Sequence, residues 1–181
     1  MNQPQWFQQW FEQTVDQFNT PNTPRSINRT PLSTEFCVDY DQLDSSGSTT
    51  HQIAMVQLNG GLGTSMGCDG PKSLITVSNN QSFLDLIQEQ IQSANAQYQV
   101  QLECLFMNSF NTDKQTKNHL KSANIHCFLQ HRIPRLDRNT FIPLNESEYV
   151  QEAWCPLGHG NVFLSLFTSG HLDRLIQAGI E

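Results

Sequence analysis

Ile53–Leu58 (IAMVQL) is a short apolar run that stops abruptly at Asn59-Gly60-Gly61, as a buried strand feeding a turn does. Five glycines fall within eleven positions there (Gly60, Gly61, Gly63, Gly67 and Gly70), and the loop closes on Pro71-Lys72-Ser73. Glycine lets a backbone turn tightly and approach a ligand closely, with amide N–H groups directed at it. That is the physical requirement for holding the phosphates of a nucleotide. Lys72 adds a point charge able to reach a phosphate oxygen. Neither familiar phosphate motif fits: Gly61-x-Gly63 lacks a third glycine, and no GxxxxGK followed by Ser or Thr occurs. Glycine content alone is equally consistent with a flexible turn.

Beyond the loop the pattern alternates. Ser82-x-x-Asp85 resembles a capping box and opens a helix carrying Phe83, Leu84, Leu86, Ile87 and Ile91. Val100–Met107 predicts a second strand, Thr112 to about Lys121 a polar helix, and Ile125–Leu129 a third strand. Strand–helix–strand–helix–strand with short connections predicts an α/β fold with right-handed crossovers and a mainly parallel sheet. Such sheets bind ligands at the carboxyl ends of their strands, so the informative loops follow Leu58, Met107 and Leu129. Two short helical patterns, Val162–Leu166 and Leu172–Ile176, flank Ser169-Gly170.

Residues 1–50 differ from 51–181 and read as a separate N-terminal region. Trp6, Phe7, Trp10, Phe11, Val15 and Phe18 recur at helical spacing and make one apolar stripe. A helix docked on the core explains it, and a partner-binding or self-association helix is the sharper alternative. A membrane-surface role is weakened by a Gln-rich polar face with little Lys or Arg. Pro21, Pro24 and Pro31 then mark a wrapping segment, and Asp44 to Thr50 a further loop.

Composition narrows the partners. The chain has 10 Lys+Arg against 17 Asp+Glu, a formal net charge of −7, and only 15% charged residues, while Gln and Asn number 20 and 15. An acidic balance without a basic block argues against nucleic acid or anionic membrane as the main partner. No apolar run approaches the roughly 20 residues of a membrane helix, and no secretory signal pattern opens the chain, so a cytoplasmic protein is expected. The five cysteines (Cys37, Cys68, Cys104, Cys127 and Cys155) stand apart with no CxxC pair, which argues against a disulfide framework and a zinc site.

Word for word the loop is more specific than its composition. LNGGLGTSMG followed by GPKS resembles the signature of the UTP–glucose-1-phosphate uridylyltransferase (UDP-glucose pyrophosphorylase) family. The likeness continues through Ser82-Phe83-Leu84-Asp85-Leu86, Met107-Asn108-Ser109-Phe110-Asn111-Thr112 and Gln130 with Pro134-Arg135. It then runs through Trp154-Cys155-Pro156-Leu157-Gly158-His159-Gly160 and Ser169-Gly170-x-Leu172-Asp173. This resemblance implies a Rossmann-like nucleotidyltransferase of glycosyltransferase-A type. Such enzymes join UTP and glucose 1-phosphate into UDP-glucose and pyrophosphate with Mg²⁺, the sugar phosphate attacking the α-phosphorus in line. Catalysis of that kind is mostly positioning and charge neutralisation. By position, Leu58, Asn59, Gly60 and Gly61 are expected to pass the nucleotide along the backbone, and Lys72 to neutralise phosphate in the transition state. Met107 and Gln130 are expected at the uracil, with a backbone N–H from Gly158, and His159 at phosphate or sugar, unless His159 only caps the following helix.

The chain also departs from the family pattern. Asp69 puts an acid where relatives carry Lys or Thr, Gln57 replaces a Lys, and Asn161 replaces an Asp; Leu129, His131 and Ile133 differ around Gln130. The resemblance implies a longer enzyme of which this is the N-terminal portion, with the catalytic domain incomplete at its C-terminus. The family's metal-binding Asp, on a later strand, has no counterpart here, and no metal ligand is named. Two other readings stay open: a nucleotide-binding or interaction module without activity of its own, and a UDP-N-acetylhexosamine pyrophosphorylase.

Overall fold

A computed structural model of the chain describes residues 53–121, 124–145 and 152–180, together with 37–42 and positions 9, 13, 33 and 35. The aromatic stripe between Trp6 and Phe18, the Pro-rich segment 19–31 and the 44–50 loop lie outside the described residues. The chain divides into two compact units, Met1–Ser46 with Arg138–Phe141, and Gly47–Asp137 with Ile142–Glu181. The second unit carries every element named below.

In chain order these are β1 (Ala54–Asn59), β2 (Thr76–Ser78), β3 (Gln81–Ser82), α1 (Phe83–Tyr98), β4 (Glu103–Asn108), α2 (Asp113–His119), β5 (Ile125–Leu129), β6 (Arg132–Pro134), β7 (Trp154–Pro156), α3 (Val162–Thr168) and α4 (His171–Gln177). β1, β4 and β5 pair in that order as a parallel sheet, with Leu58 opposite Met107 and Met107 opposite Phe128. The fold is therefore α/β, as the alternation predicts.

β4 is the centre of that sheet, and its sequence shows why. A strand sends successive side chains to opposite faces, so a strand covered on both sides reads as a continuous apolar run. Cys104 and Phe106 pack with Leu84 and Ile91 of α1 on one face. Leu105 and Met107 pack with Phe128 and with Leu175 of α4 on the other. Deleting a buried aromatic such as Phe106 removes transfer energy and leaves a cavity, costing about 3–5 kcal/mol. Cys104, fully buried, behaves as a small hydrophobe, and burial pushes its thiol up to about 12.

Local chemistry sets the element ends. The Ser82 hydroxyl accepts from the Asp85 N–H (3.2 Å), and the Ser82 N–H donates to Asp85 Oδ2 (2.9 Å), so the capping box is complete. At the far end Gln99 adopts φ 53°, and Asn95 Oδ1 accepts from the Leu102 N–H (2.9 Å), so β4 begins at Glu103 rather than Val100. Helix α2 is shorter than expected, because Leu120 is already extended. The antiparallel pair β6–β7 has no counterpart in the sequence reading. It aligns Pro134 with Trp154, and the Arg132 guanidinium lies 4.2 Å from the Trp154 ring centroid and 5.9 Å from that of Phe110. Among the described residues no helix is long and apolar enough to cross a membrane.

Candidate functional site

The carboxyl ends of β1 and β4 meet in a buried polar network. Asn59 Nδ2 donates to Asn108 Oδ1 (2.7 Å) and to Thr116 Oγ1 (2.8 Å). Asn108 Nδ2 in turn donates to Asp113 Oδ1 (2.9 Å), whose other oxygen sits 2.8 Å from Lys117 Nζ. Thr112 Oγ1 donates to the Asn59 carbonyl (2.8 Å) and accepts from the Ser109 N–H (3.0 Å). Buried polar groups cost free energy unless paired, so this web joins β1, β4 and α2 as one block. Asn59 is only 5% exposed, and its side-chain donors are both used inside the protein.

From that block the glycine-rich loop leaves as a closed hairpin. Leu62 and Pro71 form an antiparallel bridge, the Gly63 N–H donates to the Gly70 carbonyl (2.8 Å), and the Lys72 N–H to the Gly61 carbonyl (3.0 Å). The loop is thus a paired structure rather than a slack turn. Lys72 is exposed, and no ion pair holds it among the described residues. Its aliphatic stem lies beside Gly61, where an added Cβ would be 3.7 Å away. Asp69 is exposed three positions earlier on the same loop.

Gln130 closes the other side. It is 6% exposed, and its Oε1 accepts from the Gly158 N–H (3.0 Å). Its Nε2 occupies the space beside Gly60, where a Cβ would lie 1.9 Å from it. No side chain fits at position 60 without displacing Gln130. The segment carrying Gly158 is fastened to the end of β5 in two further places. The Leu157 N–H donates to the His131 carbonyl (3.0 Å), and Asn161 Oδ1 accepts from the His131 N–H (2.8 Å). Asn161 Oδ1 also accepts from Ser165 Oγ (2.5 Å).

The structure thereby lines up Lys72, Gly61, Gly60, Gln130, Gly158 and His159 as successive neighbours. His159 is exposed at the start of a 3-10 turn, and its side chain does not cap the helix that follows. Leu58 and Met107 have another place. Met107 is 0% exposed and packs with Leu105, Phe128 and Leu175, with Leu58 against the same cluster. Strand alternation turns the Met107 side chain into the core. Asn59 likewise serves the network.

Sequence reasoning gave no role to Asn108, Ser109, Thr112 and Thr116, and treated His131 and Asn161 only as departures. A signal was present: polar residues directly after an apolar strand, with two threonines four apart on one helix face. Among the described residues no three His, Cys, Asp or Glu side chains converge into a metal cage.

The family model of UTP–glucose-1-phosphate uridylyltransferase matches residues 5–181. The chain is 42% identical over 172 residues to the Saccharomyces cerevisiae UTP–glucose-1-phosphate uridylyltransferase, covering 92% of this chain and 33% of the yeast protein. It is 44% identical over 160 residues to that of Musa acuminata, covering 81% and 34% respectively. A Trypanosoma brucei UDP-glucose phosphorylase structure superposes with a TM-score of 0.69 at 34% identity, over 78% of this chain and 32% of that one. A Leishmania major UDP-glucose pyrophosphorylase variant in complex with UDP-glucose gives 0.74 at 29% identity, over 94% and 37%. The chain spans about a third of the length of the curated relatives named here. By sequence and by fold alike, it belongs to the UTP–glucose-1-phosphate uridylyltransferase family.

Proposed function

We propose that this chain carries the uridine-nucleotide site of an enzyme that makes UDP-glucose and pyrophosphate from UTP and glucose 1-phosphate. The observation that carries the reading is Gln130, held between Gly60 and Gly158 at the strand ends. The Gly158 N–H occupies Oε1, and the amide nitrogen has no hydrogen-bond partner among the described residues, which leaves it as the group to donate. A donor there suits the O4 carbonyl of uracil and opposes the amino group of cytosine. The UDP-glucose held by the Leishmania relative supports the same ligand class.

In this mechanism Gly60 and Gly61 let the nucleotide lie close to the backbone, and Gln130, its oxygen held by the Gly158 N–H, fixes the base through its amide nitrogen. Lys72, without an ion-pair partner among the described residues, neutralises charge on the transferring uridylyl group as the sugar phosphate oxygen attacks its α-phosphorus in line and pyrophosphate leaves. His159 adds a polar contact to phosphate or sugar. No covalent intermediate is needed, so positioning and electrostatics supply the acceleration. The Mg²⁺ implied by the family pattern finds no converging carboxylates among the described residues, and Asp113 is already engaged by Asn108 and Lys117. The ion enters the proposal only as a companion of the triphosphate. Cytoplasmic residence is also part of it, supported by five cysteines that are all free.

A coupled assay for UDP-glucose formed from UTP and glucose 1-phosphate tests the reading. Turnover is expected, with Lys72→Met lowering it by about 10²–10³, the usual effect of removing one charge-stabilising group. Saturable UTP binding without turnover would favour a binding module instead, and full activity in Lys72→Met would remove Lys72 from the chemistry.

A further inference from the structure

Helix α2 and the residue before it touch both stems of the glycine-rich loop. At the first stem Thr112 donates to the Asn59 carbonyl (2.8 Å), and Thr116, one turn on, accepts from Asn59 Nδ2 (2.8 Å). Both threonines are fully buried. At the second stem Gln115 lies against Gly70, where an added Cβ would stand 2.7 Å from Gln115 Oε1. The stems are themselves tied by the Gly63–Gly70 and Lys72–Gly61 backbone bonds. A shift of α2 therefore moves Asn59, Gly60 and Lys72 together.

We propose that Thr112, Thr116 and Gln115 are positioning residues, and that α2 is a platform fixing the glycine-rich loop before the nucleotide arrives. This rests on the reading above that the loop binds a uridine nucleotide. A loop held in its bound shape avoids an ordering cost on binding, so the platform acts on affinity without touching the ligand. Thr112 carries most of the effect. Replacing it by valine keeps the shape but leaves the buried Asn59 carbonyl without its donor, whereas serine keeps the hydroxyl.

The test uses the 181-residue chain and its Thr112→Val, Thr112→Ser and Gln115→Ala variants. Two quantities are read: the UTP dissociation constant, corrected for the folded fraction, and amide hydrogen exchange over residues 60–72 without ligand. Thr112→Val is expected to weaken UTP about tenfold and to speed exchange at the first stem, while Thr112→Ser stays within about twofold of the parent. Gln115→Ala, at an exposed position, is expected to leave the melting temperature unchanged, weaken UTP about threefold and speed exchange near Gly70. Lost stability alone would lower the folded fraction without changing the affinity of folded molecules. Parent-like affinity and parent-like loop exchange in Thr112→Val would overturn the proposal, and Gln115→Ala decides in the same way if Thr112→Val does not fold. A parent chain that binds no UTP would remove the nucleotide reading, and the exchange arm would still show whether α2 fixes the loop.

Discussion

A side chain at Gly60 and the Gln130 amide would compete for the same space. An alanine methyl at position 60 would lie 1.9 Å from Gln130 Nε2, so the glutamine must leave its bond with Gly158 or the backbone must shift. Overpacking of this kind costs about 1–3 kcal/mol, and here it also misplaces the group proposed to read the base. Gly60→Ala is therefore expected to weaken UTP binding by more than about tenfold while the chain still melts cooperatively; titration calorimetry beside thermal unfolding checks both. Asp69 is the opposite case, a charge in open solvent on the glycine-rich loop. Unit charges near a surface interact by a few kcal/mol at most, and salt screens them. Asp69→Lys should tighten UTP several-fold at low ionic strength and progressively less as salt is raised. An affinity that is the same for both residues at every salt concentration would show that Asp69 does not face the phosphates.

The start of α1 illustrates how much of an element can be read from its residues. Ser82-x-x-Asp85 reads as a capping box, and the structure adds what the spacing alone could not give: Lys121 Nζ 3.0 Å and His119 Nε2 3.1 Å from the same carboxylate. The Ser82 hydroxyl first, then its backbone N–H, then Lys121 and His119 hold the Asp85 carboxyl well below the usual carboxylate range. A depressed carboxylate contributes stability that is present above its unfolded value near pH 4 and is lost as pH falls through the folded value. Ser82→Ala removes one cap, worth about 1 kcal/mol, and should move the acid unfolding midpoint to higher pH in a circular-dichroism titration. An unchanged midpoint would count against the cap. The three sheet strands and the helices were legible because apolar runs and capping signals report burial directly. The pairs β2–β3 and β6–β7 were not. Arg132–Pro134 and Trp154–Pro156 are three residues each and far apart in sequence, too short for any period-2 pattern. The β2–β3 turn did leave a trace in Asn79-Asn80, whose φ values of 49° and 60° suit asparagine.

At the scale of the molecule, one parallel sheet covered on both faces presents its carboxyl ends to a single line of residues from Lys72 to His159. The glycine-rich loop, Gln130 and Gly158 announced that line in the sequence because each carries a wording shared with the family. The web of Asn59, Asn108, Thr112 and Thr116 beneath it stayed hidden, since a hydrogen bond between residues 53 positions apart leaves no local pattern. The burial of Met107 stayed hidden for a related reason: the end of a strand is visible in sequence, but the face to which its last side chains turn depends on register. In the proposed site Gln130, with its oxygen held by Gly158, offers a donor to a base carbonyl. Titration of the 181-residue chain with UTP and with CTP at one ionic strength decides whether it does. Saturable UTP binding with CTP weaker by about tenfold or more is predicted, the discrimination of roughly one unmatched hydrogen bond. Equal affinity for the two nucleotides, or no saturable binding of either, would contradict it.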